Sequence, residues 1–295
     1  MLRLVTLGTT EIVDSADGAQ PIPLEAKRLA LLAYVALAHG GRSVPRDALL
    51  PVFWPEHGEQ DARNALRQAL HYLTRKLGPL LEGRGTNELA VDESRLDADV
   101  LEFERALDAH EPARAMRIYR GELLPGFSFR SASDPFLEWV DRERNRLTQR
   151  ALEAAIELAE EEGRRANVTG EIHWLRRALV LEPFREDLLE RVIDLHERHG
   201  NRATAAQTIR SFSRELRLRY GVPLSPRLRQ RLHALQDGRP DRVATRAQPP
   251  DFDSLRVRFA SEVARTNDLI RQLQALTGRQ PLPDADWPAP TRGVS

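Results

Sequence analysis

The chain contains no cysteine. Disulfides, thiolate metal sites and cysteine nucleophiles are thereby excluded. It also lacks an excess of either charge, with Lys+Arg and Asp+Glu at 44 each. Phosphate neutralisation supplies most non-specific DNA affinity, so any DNA-binding footprint here has to be local. The stretch from Arg63 to Arg84 is only modestly basic. Aromatic residues are scarce at 6%, whereas charged residues reach 30% and hydrophobic residues 41%. That balance suits helical bundles with ion-paired surfaces. No apolar run approaches the roughly 20 residues of a membrane span. The opening MLRLVTLG has no charged region followed by a long apolar run, so no signal peptide is expected and the expected location is cytoplasmic. Enzyme signatures are missing as well: there is no His-Glu-x-x-His, Gly-x-Ser-x-Gly, Gly-x-Gly-x-x-Gly or Gly-x-x-x-x-Gly-Lys-Ser/Thr. No catalytic residue, cofactor or metal is expected. The nearest thing to a metal pair is His196 with His199, three apart on one helix but without an obvious carboxylate partner.

What is present is organised around Val44–Lys76. The spacing predicts two helices joined by a tight connection. In the second, from about Gly58 to Leu77, Ala62, Leu66, Ala69, Leu70, Leu73 and Leu77 recur at steps of three and four. They form a stripe that faces a core. The opposite side carries Arg63, Asn64, Arg67, Gln68, His71 and Arg75. Arg pairs two donors with guanine, and Asn or Gln pairs with adenine, so this face suits a major groove. Arg75 and Lys76 follow within reach of phosphates. The plainer alternative is the solvated face of an ordinary helix. Three neighbours favour the first reading. A short helix, Arg46 to Phe53, precedes it as helix-turn-helix geometry requires. Two short strands around Gly83-Arg84-Gly85 follow, a hairpin that places Arg84 at a basic tip. Strand-like segments come first, from Leu2 to Pro23. Together these predict a winged helix-turn-helix of the response-regulator effector type.

Arg46-Asp47-x-Leu49, Phe53-Trp54-Pro55 and Ala62-Arg63-Asn64-x-Leu66-Arg67-x-x-Leu70 together resemble the Streptomyces antibiotic regulatory protein family. Tyr119-x-Gly121-x-Leu123-Leu124-Pro125-Gly126-Phe127 and Trp139-Val140-x-x-Glu143-Arg144 are similar to that family's bacterial transcriptional activator domain. Phe53 stands where the family more often has Leu, a volume-tolerant change. The resemblance covers roughly Leu2 to Gln236. It implies a transcription regulator, an activator by type, that binds direct repeats in double-stranded promoter DNA and contacts RNA polymerase. Its location would then be with the nucleoid.

Along the rest of the chain, Leu24–His39 is predicted as a helix stopped by Gly40-Gly41. Lys27 and Arg28 on it read as a solvated pair rather than phosphate contacts. Ser43 is expected to cap the next helix, and Trp54 to anchor it in the core. Leu96 to Leu107 opens the second half as a helix capped by Asp97. A long helix from about Pro135 to Glu162 follows. Helix pairs run from Thr169 to Gln236, with stops at Pro183 and Pro223. That separation exceeds the roughly 34 residues usual for tetratricopeptide (TPR) units. The expected fold is mainly α. Residues 1–95 form a winged domain of small antiparallel strands and three helices, and 96–236 a TPR-like helical domain. A linker (237–251), an amphipathic helix (252–277) and a tail expected to be disordered (278–295) come last. The helical half is expected to receive a partner or to form a homodimer. The rival reading is a helical interaction scaffold without specific DNA binding.

Overall fold

In chain order the first half contains β1 (Leu2–Val5), β2 (Glu11–Asp14), β3 (Gln20–Pro21), α1 (Ala26–Leu37), β4 (Val44–Pro45), α2 (Arg46–Phe53), α3 (Glu59–Leu77), β5 (Leu81–Arg84), β6 (Glu88–Val91) and β7 (Leu96–Ala98). The second half is helical: α4 (Asp99–Asp108), α5 (Pro112–Ile118), α6 (Asp134–Arg164), α7 (Val168–Leu181), α8 (Glu186–Arg198), α9 (Arg202–Tyr220) and α10 (Pro226–Asp237). This computed structural model describes residues 1–14, 20–40, 42–84, 87–127 and 132–237. Apart from Asp237, the expected linker, amphipathic helix and tail lie outside the described residues.

Leu2 and Leu4 of β1 are buried, as a period of two on a half-buried strand dictates. β1 is central in a four-stranded sheet ordered β3-β2-β1-β7. Its pairing with β2 is antiparallel, and with β7 parallel, Leu2 opposite Leu96 and Leu4 opposite Ala98. Leu96–Ala98 therefore completes the N-terminal sheet rather than opening a helix. Asp97 lies in this strand and pairs with Arg105 at 2.7 Å instead of capping. The buried acid is its neighbour Asp99. Its carboxylate accepts from the Thr6 and Leu7 backbone N–H groups and from the Thr6 hydroxyl, each at 2.8 Å. Burial pushes the Asp99 carboxyl above the usual range, and these hydrogen bonds oppose that rise.

Beyond β1 the chain is stitched to the Tyr119–Leu124 segment. Leu124 N–H donates to the Thr6 carbonyl at 2.8 Å, and Gly8 N–H to that of Glu122 at 3.0 Å. Gly8 sits at φ +87°, and a Cβ there would lie 3.0 Å from the Arg120 carbonyl carbon. Only glycine tolerates both conditions. Arg144 of α6 completes the seam, donating to the carbonyls of Leu123 at 2.8 Å and Leu124 at 2.6 Å.

A second seam is aromatic. Tyr34 of α1 lies 5.7 Å from Phe53 of α2 and 4.7 Å from Trp139 of α6. Phe136 closes the cluster at 5.5 Å from Phe53. The buried Ser133 hydroxyl accepts from Phe136 N–H to cap α6 and donates to the Val52 carbonyl of α2 at 2.5 Å. One apolar core consequently runs without a break from Leu2 to Leu195, through residue 95. A smaller one packs α8, α9 and α10 around Ile193, Ile209 and Leu228.

His196 sits buried on α8. Burial first, then the neighbouring Arg176 guanidinium and His199, hold its imidazole below the ordinary range. An unfolded chain takes up that proton near pH 6.5, whereas the folded chain resists it. Stability is expected to fall as pH drops through about 6.5. Thermal unfolding of wild type should show a lower Tm at acid pH, and His196→Leu should flatten that dependence. An unchanged slope in the variant would assign the effect elsewhere.

Candidate nucleic-acid interface

α3 is built for one buried and one open side. Glu59 and Asp61 occupy its first turn and Arg75 and Lys76 its last, the charge order that a helix dipole favours. Ala62, Leu66, Ala69, Leu73 and Leu77 are buried, with Leu70 half-buried beside them. Arg63, Arg67, Gln68, His71, Arg75 and Lys76 are exposed, and Asn64 is half-buried. Arg63, Arg67, His71 and Arg75 follow one another at steps of four and make one ridge. Lys76 departs from it, facing about 140° away from His71 at 100° per residue. The Asn64 side-chain carbonyl accepts from Arg67 at 3.1 Å, which pre-orients both.

Arg63 is more tethered than a simple outward face implies. It pairs with Glu59 at 2.7 Å and reaches Asp47 of α2 at 3.4 Å. Asp47 in turn accepts from Asn87, beside β6, at 2.8 Å. α2, α3 and the hairpin thus share one polar junction. The hairpin is as expected: β5 and β6 are antiparallel, Arg84 opposite Glu88. β4 joins them through Val44 and Leu89, giving a sheet ordered β4-β6-β5. Ser43, expected as a cap, instead donates to Glu88 at 2.5 Å, and Pro45 takes the cap position of α2. The Arg84 side chain and residues 85 and 86 lie outside the described residues.

Two residues of α1 differ from the solvated pair expected of them. Lys27 lies 5.0 Å over the Trp54 ring, where burial holds its ammonium below the usual range. The Arg28 guanidinium lies 3.9 Å over the ring of Tyr72 on α3 and pairs with Glu25. Arg28, Arg67, Gln68, His71, Tyr72 and Arg75 line a shallow groove of about 450 Å³. No carboxylate lines it among the described residues. A chain of zero net charge therefore gathers three guanidinium groups along one side of α3. Nothing local in the sequence ties residue 28 to residue 72, so spacing arguments miss it.

The bacterial transcriptional activator domain matches residues 85–236. The chain belongs to that family. The match supports the family resemblance seen in the sequence. Among solved structures, Mycobacterium tuberculosis EmbR in complex with a low-affinity phosphopeptide is similar in fold, with a TM-score of 0.52 and 20% identity. The match covers 81% of this chain and 66% of that one, so this chain spans under two thirds of that structure. No curated protein matches. The activator-domain match begins inside the hairpin and takes in β7, the Tyr119–Leu124 and Ser133–Trp139 sides of the two seams, and the helices from α4 onward. Its motif residues are structural here. Tyr119 and Trp139 are buried, and Arg144 holds the Leu123–Leu124 carbonyls. Among the described residues no helix is long and apolar enough to cross a membrane.

Proposed function

We propose that this activator-domain protein binds promoter DNA by placing α3 in the major groove, and that it acts as an activator. The observation that carries this reading is the open ridge of α3, which the helical half leaves exposed along Arg67, His71 and Arg75. Arg67, Gln68 and His71, with Asn64 orienting Arg67, serve base edges. Arg63 joins them by exchanging Asp47 and Glu59 for a base. Arg75, Lys76 and Arg84 serve the backbone and the minor groove. The helical half, welded to α1 and α2, receives RNA polymerase or a second copy of the chain. Its stacked helix pairs, with an exposed Phe184 against Tyr220 at 4.4 Å, support a partner-binding role.

The test is binding to the DNA upstream of the chain's own coding sequence. Arg67→Ala is expected to weaken binding to a cognate site by roughly 1–3 kcal/mol and to relax base preference there. An unchanged titration would remove Arg67 from readout. Failure of the wild type to shift any duplex would favour the scaffold reading.

A further inference from the structure

We infer that Arg28 of α1 is a phosphate-binding residue, and that the groove it shares with α3 seats one strand of the DNA backbone. The assignment rests on the reading that α3 meets DNA. Arg28 is held differently from the other arginines of this face. Its guanidinium stacks on Tyr72 at 3.9 Å, and only a quarter of its side chain remains exposed. Its one ion-pair partner among the described residues is Glu25, itself 67% exposed. A half-buried cation with so solvated a counter-ion is under-compensated, and an approaching anion supplies what is missing. Stacking also fixes the plane of the guanidinium, so little freedom is lost when it donates to two phosphate oxygens.

The surroundings select a backbone rather than a base edge. Arg75, which already serves the backbone, lines the same groove two helical turns beyond the base-reading Arg67. Arg28 over the Tyr72 ring and Arg75 on the same groove make a pair of cations that suits neighbouring phosphates. Tyr72 acts as a positioning residue, since its ring carries the guanidinium. Base reading stays with Arg63, Arg67, Gln68 and His71.

The experiment uses the full chain with two duplexes, one from its own upstream DNA and one of unrelated sequence. Affinity is titrated against salt for wild type, Arg28→Gln, Arg28→Lys and Arg67→Ala. Arg28→Gln is expected to weaken both duplexes alike and to lower the log–log salt slope by about 0.9, the release of one ion. Raising salt from about 50 to about 200 mM would then cost this variant about 3.5-fold less affinity than wild type. Arg28→Lys keeps a charge over the groove and should keep the wild-type slope. A residue that only braced α1 on α3 would leave the slope unmoved in both variants, and that result overturns the assignment. Should Arg28→Gln fail to fold, Arg28→Met, which keeps an apolar stem over Tyr72, takes its place: the same fall in slope is expected, and an unmoved slope overturns the assignment. The two ideas fail differently. Arg67→Ala shifting specificity while Arg28→Gln leaves the slope intact sinks this inference alone. A wild type that binds neither duplex sinks both.

Discussion

Asp99→Ala is expected to lower the unfolding free energy by about 4 kcal/mol, because truncating one partner of a buried charged network strands the others. The stranded groups are the Thr6 and Leu7 N–H groups and the Thr6 hydroxyl, all now accepted by one carboxylate. Asp99 is 3% exposed, so water cannot readily replace it. Asp99→Asn keeps one acceptor but turns an amide donor toward other donors, and its expected loss is about 2 kcal/mol. Urea denaturation followed by circular dichroism measures both. A loss under about 1 kcal/mol for Asp99→Ala would mean that the end of β1 finds other partners.

Phe136→Ala should cost about 3–5 kcal/mol, the range for emptying a buried aromatic site. Phe136 is 1% exposed and lies 5.5 Å from Phe53 and 5.7 Å from Trp139. It is an anchor by which α6 supports α2, on which α3 packs. Phe136→Leu retains most of the volume and should lose about 1.5 kcal/mol or less. The same denaturation curves decide. Both variants should unfold in one transition, because the core is continuous across the two halves. A loss below about 1 kcal/mol for Phe136→Ala would show that α6 does not brace α2.

The contrast between what was legible and what was not follows the range of the interactions. α3 was legible because its stripe from Ala62 to Leu77 is a local pattern, and the structure buries that side. The β5–β6 hairpin and the helices α6 to α10 were legible for the same reason, with ends within a few residues of those expected. β7 was not. It is three residues long, and its partner is β1 at the far end of the winged half. Parallel pairing over such a distance leaves no periodic trace. Asp97 looked like the cap because it precedes a helical pattern, but the acid that matters is two residues later and holds another strand. Of the outward residues of α3, Arg63, Arg67, Gln68, His71 and Arg75 are exposed as the apolar stripe implies, and Asn64 is half-buried. The tether on Arg63 and the stacking of Arg28 were invisible, since both depend on side chains from other helices.

The parallel pairing of β1 with Leu96–Ala98 also decides where this protein can be cut. A fragment ending at residue 95 strips one flank of β1 and deletes the acceptor for Thr6 and Leu7. The bared flank offers unsatisfied amides and carbonyls to any passing strand, the template on which chains stick to one another. A well-behaved isolated N-terminal fragment has to be carried beyond α4, and it needs the aromatic anchors of α6 as well.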